Sequence, residues 1–192
     1  MPKHNQLSGS QLHEMKGAAA AAAGQVPIAD GAGSTAFTTP PWGQAAIIKY
    51  KDADNTAVNN STTLVNDDDL LNFSLSASTV YLIEADIYVT SADGSTNIDM
   101  AFNLVSGSLT DSSITWTSHE DDGDVVINGA AALTDEVTVT SLAGTNSVLV
   151  HVSGFVSVNA ASVVSLQFAQ NSAVATDSQT LKGSWIKFTQ VE

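Results

Sequence analysis

Beyond residue 43 the chain is a succession of short runs in which apolar and polar residues alternate with a period of two, many of them β-branched and separated by Gly, Asn, Asp and Ser clusters. The clearest is Thr79 to Thr90. There Tyr81, Ile83, Ala85, Ile87 and Val89 share one face of a strand, while Glu84 and Asp86 take the other. Asn97 to Val105 repeats the pattern with Ile98, Met100, Phe102 and Leu104 inward, and Ser91 to Ser95 (SADGS) is a turn signal, so the two runs predict a hairpin. Further strands are expected at Ala45 to Tyr50, Leu70 to Leu75, Ser113 to Thr117, Asp124 to Ile127, Glu136 to Ser141, Ser147 to Val158, Ser162 to Gln170 and Leu181 to Val191, nine or ten in all. No amphipathic helix interrupts them. Their spacing favours an antiparallel jelly roll, with an immunoglobulin-like sandwich as the alternative.

The first 43 residues have a different texture. Ala, Gly, Ser, Thr, Pro and Gln dominate, and bulky apolar residues are too few for this stretch to bury enough surface to fold alone. A short helix over Gln11 to Ala23 is compatible with its helix formers, and Val26 to Ala29, the Asp30-Gly31 turn signal and Phe37 suggest a small hairpin or extended clip. Pro40-Pro41-Trp42 marks the boundary. The expected organisation is an N-terminal docking arm over residues 1–43, extended and with little regular structure, and an all-β domain over residues 44–192.

Composition narrows the functional classes. The chain of 192 residues is 43% hydrophobic, enough to fill one core, and carries 20 acidic against 6 basic residues for a net charge of −14. All six cations are lysines; arginine is absent. Nucleic-acid binding requires clustered cations, and anionic membranes attract basic segments, so neither partner is expected. Cysteine is absent too, which removes disulfides, thiolate nucleophiles and cysteine-ligated metals. The run Ala18 to Ala23 is too short and too weakly apolar for a signal-peptide core or a membrane span.

Candidate chemistry is sparse. Asp67-Asp68-Asp69 and Glu120 to Asp124 (EDDGD) are oxygen-rich, but neither has the EF-hand spacing, and acidic turns between strands predict solvated loops rather than a metal site. His4, His13, His119 and His151 fall at no metal-ligand spacing, and His151 lies opposite the apolar face set by Val148, Val150 and Val152. No G-x-S-x-G, G-x-G-x-x-G or P-loop run exists, no carboxylate pair is singled out for glycoside chemistry, and no cofactor is expected. These features favour a non-enzymatic protein.

The arm carries a resemblance. Leu12-His13-Glu14-Met15-Lys16-Gly17, the alanine run, and Val26-Pro27-Ile28-Ala29-Asp30-Gly31-Ala32-Gly33 resemble a segment recurrent in tailed-bacteriophage structural proteins, which often has proline where this chain has Met15. The C-terminal stretch, with Ala169-Gln170-Asn171 as a turn and Lys182-Gly183-Ser184 in the last strand, is similar to the closing strands of phage head-fibre and decoration domains. The resemblance covers about the first and last fifths of the chain. It implies a homotrimer of tumour-necrosis-factor-like jelly rolls on the outer surface of a capsid, with the arm gripping the major capsid protein. Under it, Leu12, His13, Lys16, Val26, Ile28, Phe37 and Trp42 are the candidate docking residues, and Tyr81, Tyr88, Trp116, Trp185 and Phe188 the candidate core or trimer-interface aromatics. A tail-fibre or receptor-binding tip that recognises a host glycan through loop aromatics and carboxylates is the rival reading.

Overall fold

The computed structural model describes residues 26–29, 35–38, 45–91, 96–119, 125–139 and 147–191, and the chain divides into two units, 1–44 and 45–192. In the first unit β1 (Val26–Ala29) and β2 (Thr35–Thr38) form an antiparallel pair, with Val26 opposite Thr38 and Pro27 opposite Phe37. This is the small hairpin expected there.

The second unit is all-β and antiparallel, a jelly-roll-like sandwich. Its strands are β3 (Ala46–Tyr50), β4 (Val65–Asn66), β5 (Phe73–Leu75), β6 (Thr79–Ser91), β7 (Ile98–His119), β8 (Val125–Ala131), β9 (Val137–Val139), β10 (Val148–Gln170), β11 (Ser178–Thr180) and β12 (Trp185–Gln190). The main path of hydrogen-bonded neighbours runs β3-β12-β6-β10-β7-β8; β11 lies beside β6, β4 and β5 beside β10, and β9 beside β7.

Two strands make the sandwich from this single ladder. β7 has 22 residues and β10 has 23, and they pair with each other along nearly their whole length. Phe102 and Trp116 both lie in β7, and over fourteen residues a straight strand would advance roughly 46 Å. Their ring centroids are 5.4 Å apart, so β7 folds back on itself. The bend coincides with register shifts in β10 between Ser157 and Val164. There Gly107 has φ +92°, and a Cβ on it would come within 2.4 Å of Ala161 O, so both the backbone conformation and the close approach require glycine. The first layer therefore contains β3, β12, β6, the N-terminal half of β10, the C-terminal half of β7, and β8. The second contains β4, β5, the other halves of β10 and β7, and β9.

The core lies between the layers. Phe73, Phe102, Trp116, Phe168 and Phe188 are fully buried, and Phe188 of β12 touches Phe73 at 5.0 Å and Phe102 at 6.2 Å between centroids. Aromatic pairs of this kind add about 0.5–1.5 kcal/mol each beyond the area they bury.

The structure corrects several strand expectations. Asn97 to Val105 and Ser113 to Thr117 belong to one bent strand, as do Ser147 to Val158 and Ser162 to Gln170, because the polar breaks between them are corners rather than loops. The hairpin expected between Thr79 to Thr90 and Asn97 to Val105 does not form: β6 pairs with β10, β11 and β12, whereas the start of β7 pairs with β10 and β9 in the opposite layer. The last strand begins at Trp185, not Leu181. Lys182-Gly183-Ser184 is the turn into it, with Gly183 at φ +93° and Ser184 bonded back to Leu181 O through both its amide (3.3 Å) and its hydroxyl (2.7 Å). β4 and β11 are short strands that periodicity did not mark.

Candidate functional site

Of the candidate docking residues, Leu12, His13, Lys16 and Trp42 lie outside the described residues; Val26 and Ile28 stand in β1 and Phe37 in β2. The five aromatics separate cleanly. Tyr81, Trp116 and Phe188 are buried in the core of a single copy, Trp185 is half-buried, and Tyr88 is 37% exposed. Trp185 and Tyr88 share the outer face of the first layer, because alternation sends odd positions of β12 and even positions of β6 away from the core.

That outer face is the most distinctive surface of the sandwich. Ile48 and Tyr50 of β3, and Leu82 and Tyr88 of β6, are four of the six exposed large apolar residues among the described residues, and Tyr50 is 68% exposed. The ladder sets them in rows: Tyr50, Trp185, Asp86 and His151 lie side by side, as do Ile48, Lys187, Glu84 and Ser153. The charges within the rows are paired on the face itself, Lys187 Nζ to Glu84 Oε2 at 2.8 Å and His151 Nδ1 to Asp86 Oδ1 at 2.9 Å. Beside the Lys187–Glu84 pair, on the side away from Asp86 and His151, a shallow depression of about 370 Å³ is lined by Leu82, Glu84, Ser153, Gly154, Lys187 and Thr189. The readable signal was the apolar content of the wet positions: Leu82 and Tyr88 flank Glu84 and Asp86, and Leu149 and Phe155 flank His151 and Ser153.

The carboxylates behave differently from expectation. Asp67 is not in a solvated loop; it is fully buried, and Lys51 reaches it at 3.1 Å with both side chains sealed from water. Asp67 Oδ1 also accepts the amides of Asp69 (2.9 Å) and Leu70 (2.8 Å), and Oδ2 accepts the Thr180 hydroxyl. Asn55 Oδ1 accepts from Lys51 Nζ (3.2 Å) and from the Asp68 amide (2.7 Å), so the acidic triplet is anchored by its neighbours rather than set out for an ion. Asp68 is exposed and takes the Thr56 amide and hydroxyl.

A second buried carboxylate, Asp99 in β7, accepts from Thr138 Oγ1 (2.6 Å) and Asn171 Nδ2 (3.1 Å). Glu136 beside it is raised above the ordinary carboxylate range, first by partial loss of water, then by the Asp99 charge and a hydrogen bond to it. Among the described residues no three His, Asp or Glu side chains are grouped to hold a metal ion. Glu120 to Asp124, His4 and His13 lie outside the described residues. His119 ends β7 in water, and the His151–Asp86 pair sits on an open sheet face instead of in a concave pocket.

No protein-family model matches the chain, and no curated protein is similar to it in sequence. Among solved structures it is similar to one of infectious bursal disease virus, Gx strain, with 12% identity over 86% of this chain and 38% of that one, at a TM-score of 0.39. The VP2 subviral particle of infectious bursal disease virus follows, with 9% identity over 88% of this chain and 47% of that one, at a TM-score of 0.29. The chain spans less than half the length of these structures.

Proposed function

We propose that this chain is a non-enzymatic structural protein of a virion, a capsid decoration protein whose N-terminal arm binds the outer surface of a phage shell and whose β-sandwich stands outward as an acidic knob. The observation that carries the reading is the arm. Leu12 to Gly17 and Val26 to Gly33 resemble a segment recurrent in tailed-bacteriophage structural proteins, and residues 1–44 form a unit distinct from the sandwich. A segment so poor in bulky apolar residues gains its stability from a partner. The sandwich supplies its own core and spends its buried carboxylates on internal bonding.

The knob is proposed to be a homotrimer, so that three arms engage the major capsid protein together. Linking several weak contacts raises avidity by about 10² to 10⁴, and binding only the assembled shell stabilises it by mass action.

Deleting residues 1–43 is expected to abolish co-sedimentation with capsids while leaving the far-UV β signature of the sandwich intact. Retained capsid binding overturns the docking role of the arm. Gold-labelled antibody on tails instead of heads overturns decoration in favour of a receptor-binding tip.

A further inference from the structure

We propose that the outer face of the β3-β12-β6-β10 sheet is the surface through which copies of this chain pack against one another. The inference rests on the homotrimer reading above and names the surface that reading leaves open.

Self-association is electrostatically difficult for this chain. With a net charge of −14, most pairs of surfaces bring carboxylate against carboxylate, and each unit-charge pair at about 4 Å costs around 1 kcal/mol even in water. The outer face is exempt. Its outward positions hold one lysine and two carboxylates, Lys187, Glu84 and Asp86, together with His151, and each carboxylate already has its partner on the same face. Counting Lys187, Glu84 and Asp86, the face carries one net negative charge. It gives a cationic or polyanionic partner little to select and an identical acidic copy little to repel.

Apolar content supplies the attraction. Ile48, Tyr50, Leu82 and Tyr88 are each 37% exposed or more, and Trp185, between Tyr50 and β6, and Phe155, beside Leu82 on β10, are half-buried. Aromatic and aliphatic side chains of this kind, set around charges that already pair with one another on the same face, supply the apolar area an interface between copies buries. The depression above Gly154 is large enough for an aromatic ring, and Tyr50 is the most exposed large apolar side chain among the described residues. Tyr50 of one copy seated in the depression of the next makes a head-to-tail contact, which forms a closed ring when the rotation between successive copies is one third of a turn.

The test is the mass of the full-length chain in solution, measured by sedimentation across a concentration series. The wild type is expected to be an oligomer at micromolar concentration. Tyr50→Glu with Leu82→Glu is expected to weaken assembly by at least about 100-fold and to yield monomers with unchanged circular dichroism, since neither side chain belongs to the core. Val65→Glu with Val105→Glu, which places the same charge on exposed apolar positions away from this face, is expected to leave the oligomer intact. A monomeric wild type, an oligomer that survives the face variant, or equal dissociation by both pairs overturns the proposal. Capsid binding through the arm is read separately, so loss of this interface and loss of the decoration role are distinguishable.

Discussion

Asp67 and Asp99 are both buried carboxylates, at 0% and 4% exposure, yet the protein treats them in opposite ways. Asp67 receives an ammonium, two backbone amides and a hydroxyl. Among the described residues Asp99 receives a hydroxyl and a side-chain amide but no cation, and the Glu136 carboxyl stands against it. Position in the fold accounts for the difference. Lys51 follows β3 at the edge of the first layer, and its backbone exchanges hydrogen bonds with Gly183 and Ser184. The Asp67 amide donates to Leu166 O in the second layer. Their pair therefore clips the two layers together where no strand passes between them. Asp99 lies within a continuous ladder, already held by β9 on one side and β10 on the other, and needs only local donors.

The contrast breaks first at Lys51. Lys51→Met keeps the apolar stem and removes the ammonium, leaving Asp67 buried with no counter-charge, and is expected to cost about 3–5 kcal/mol. A urea denaturation midpoint measures it. Adding Asp67→Asn to that variant should recover a large part of the loss, because the amide oxygen still accepts from Asp69 and Leu70 while no charge remains to be paired. A loss below about 1 kcal/mol for Lys51→Met, within the range of an exposed pair, would remove the distinction between the two sites.

How much of this was legible in the sequence depends on whether the cue is local. The period-2 pattern located β6, and the flanking runs of β7 and β10, because one buried face forces alternation. It did not reveal that two of those runs are halves of one strand, since a corner built on Gly107 and Ser162 has the same local composition as a loop. The polar Asp67-Asp68-Asp69 triplet could not be divided into a buried member and a wet one, because the partner that decides it, Lys51, is sixteen residues away and its neighbour Thr180 more than a hundred. In the candidate site, residue type alone does not separate Trp185 and Tyr88, which lie on the outer face, from Tyr81, Trp116 and Phe188, which are core. Leu82 is marked only by its place among the wet positions of β6, and Ile48 and Tyr50 by nothing local: whether an apolar residue on a strand is exposed depends on what the second face packs against.

A smaller effect is expected at Asp99. Asp99→Asn keeps an acceptor for Thr138 and Asn171 and removes a charge that no cation balances among the described residues. The loss should be about 1 kcal/mol or less, the net worth of a charge-assisted hydrogen bond reduced to a neutral one and offset by relief of Glu136. The same denaturation experiment ranks it against Lys51→Met. Equal losses would mean that the two carboxylates are structurally equivalent.

The smallest effect, and the one that separates the sites by sign, is at Glu136. Its carboxyl is raised in the folded protein, chiefly by partial loss of water and next by Asp99, so the native state holds that proton to higher pH than the unfolded chain does. Where the native state binds more protons, stability falls as pH rises through the window from the ordinary glutamate value to the raised one. Glu136→Gln removes the ionisation and should raise the melting temperature slightly at pH 7 while leaving it nearly unchanged at pH 4, where the wild-type carboxyl is largely protonated. The residue is exposed, so water screens much of the repulsion and the gain stays small. Thermal melts at the two pH values measure it. A stabilisation of equal size at both would trace the gain to something other than the carboxylate pair, and destabilisation at pH 7 would show that Glu136 is held by a favourable partner instead of by a repelling one.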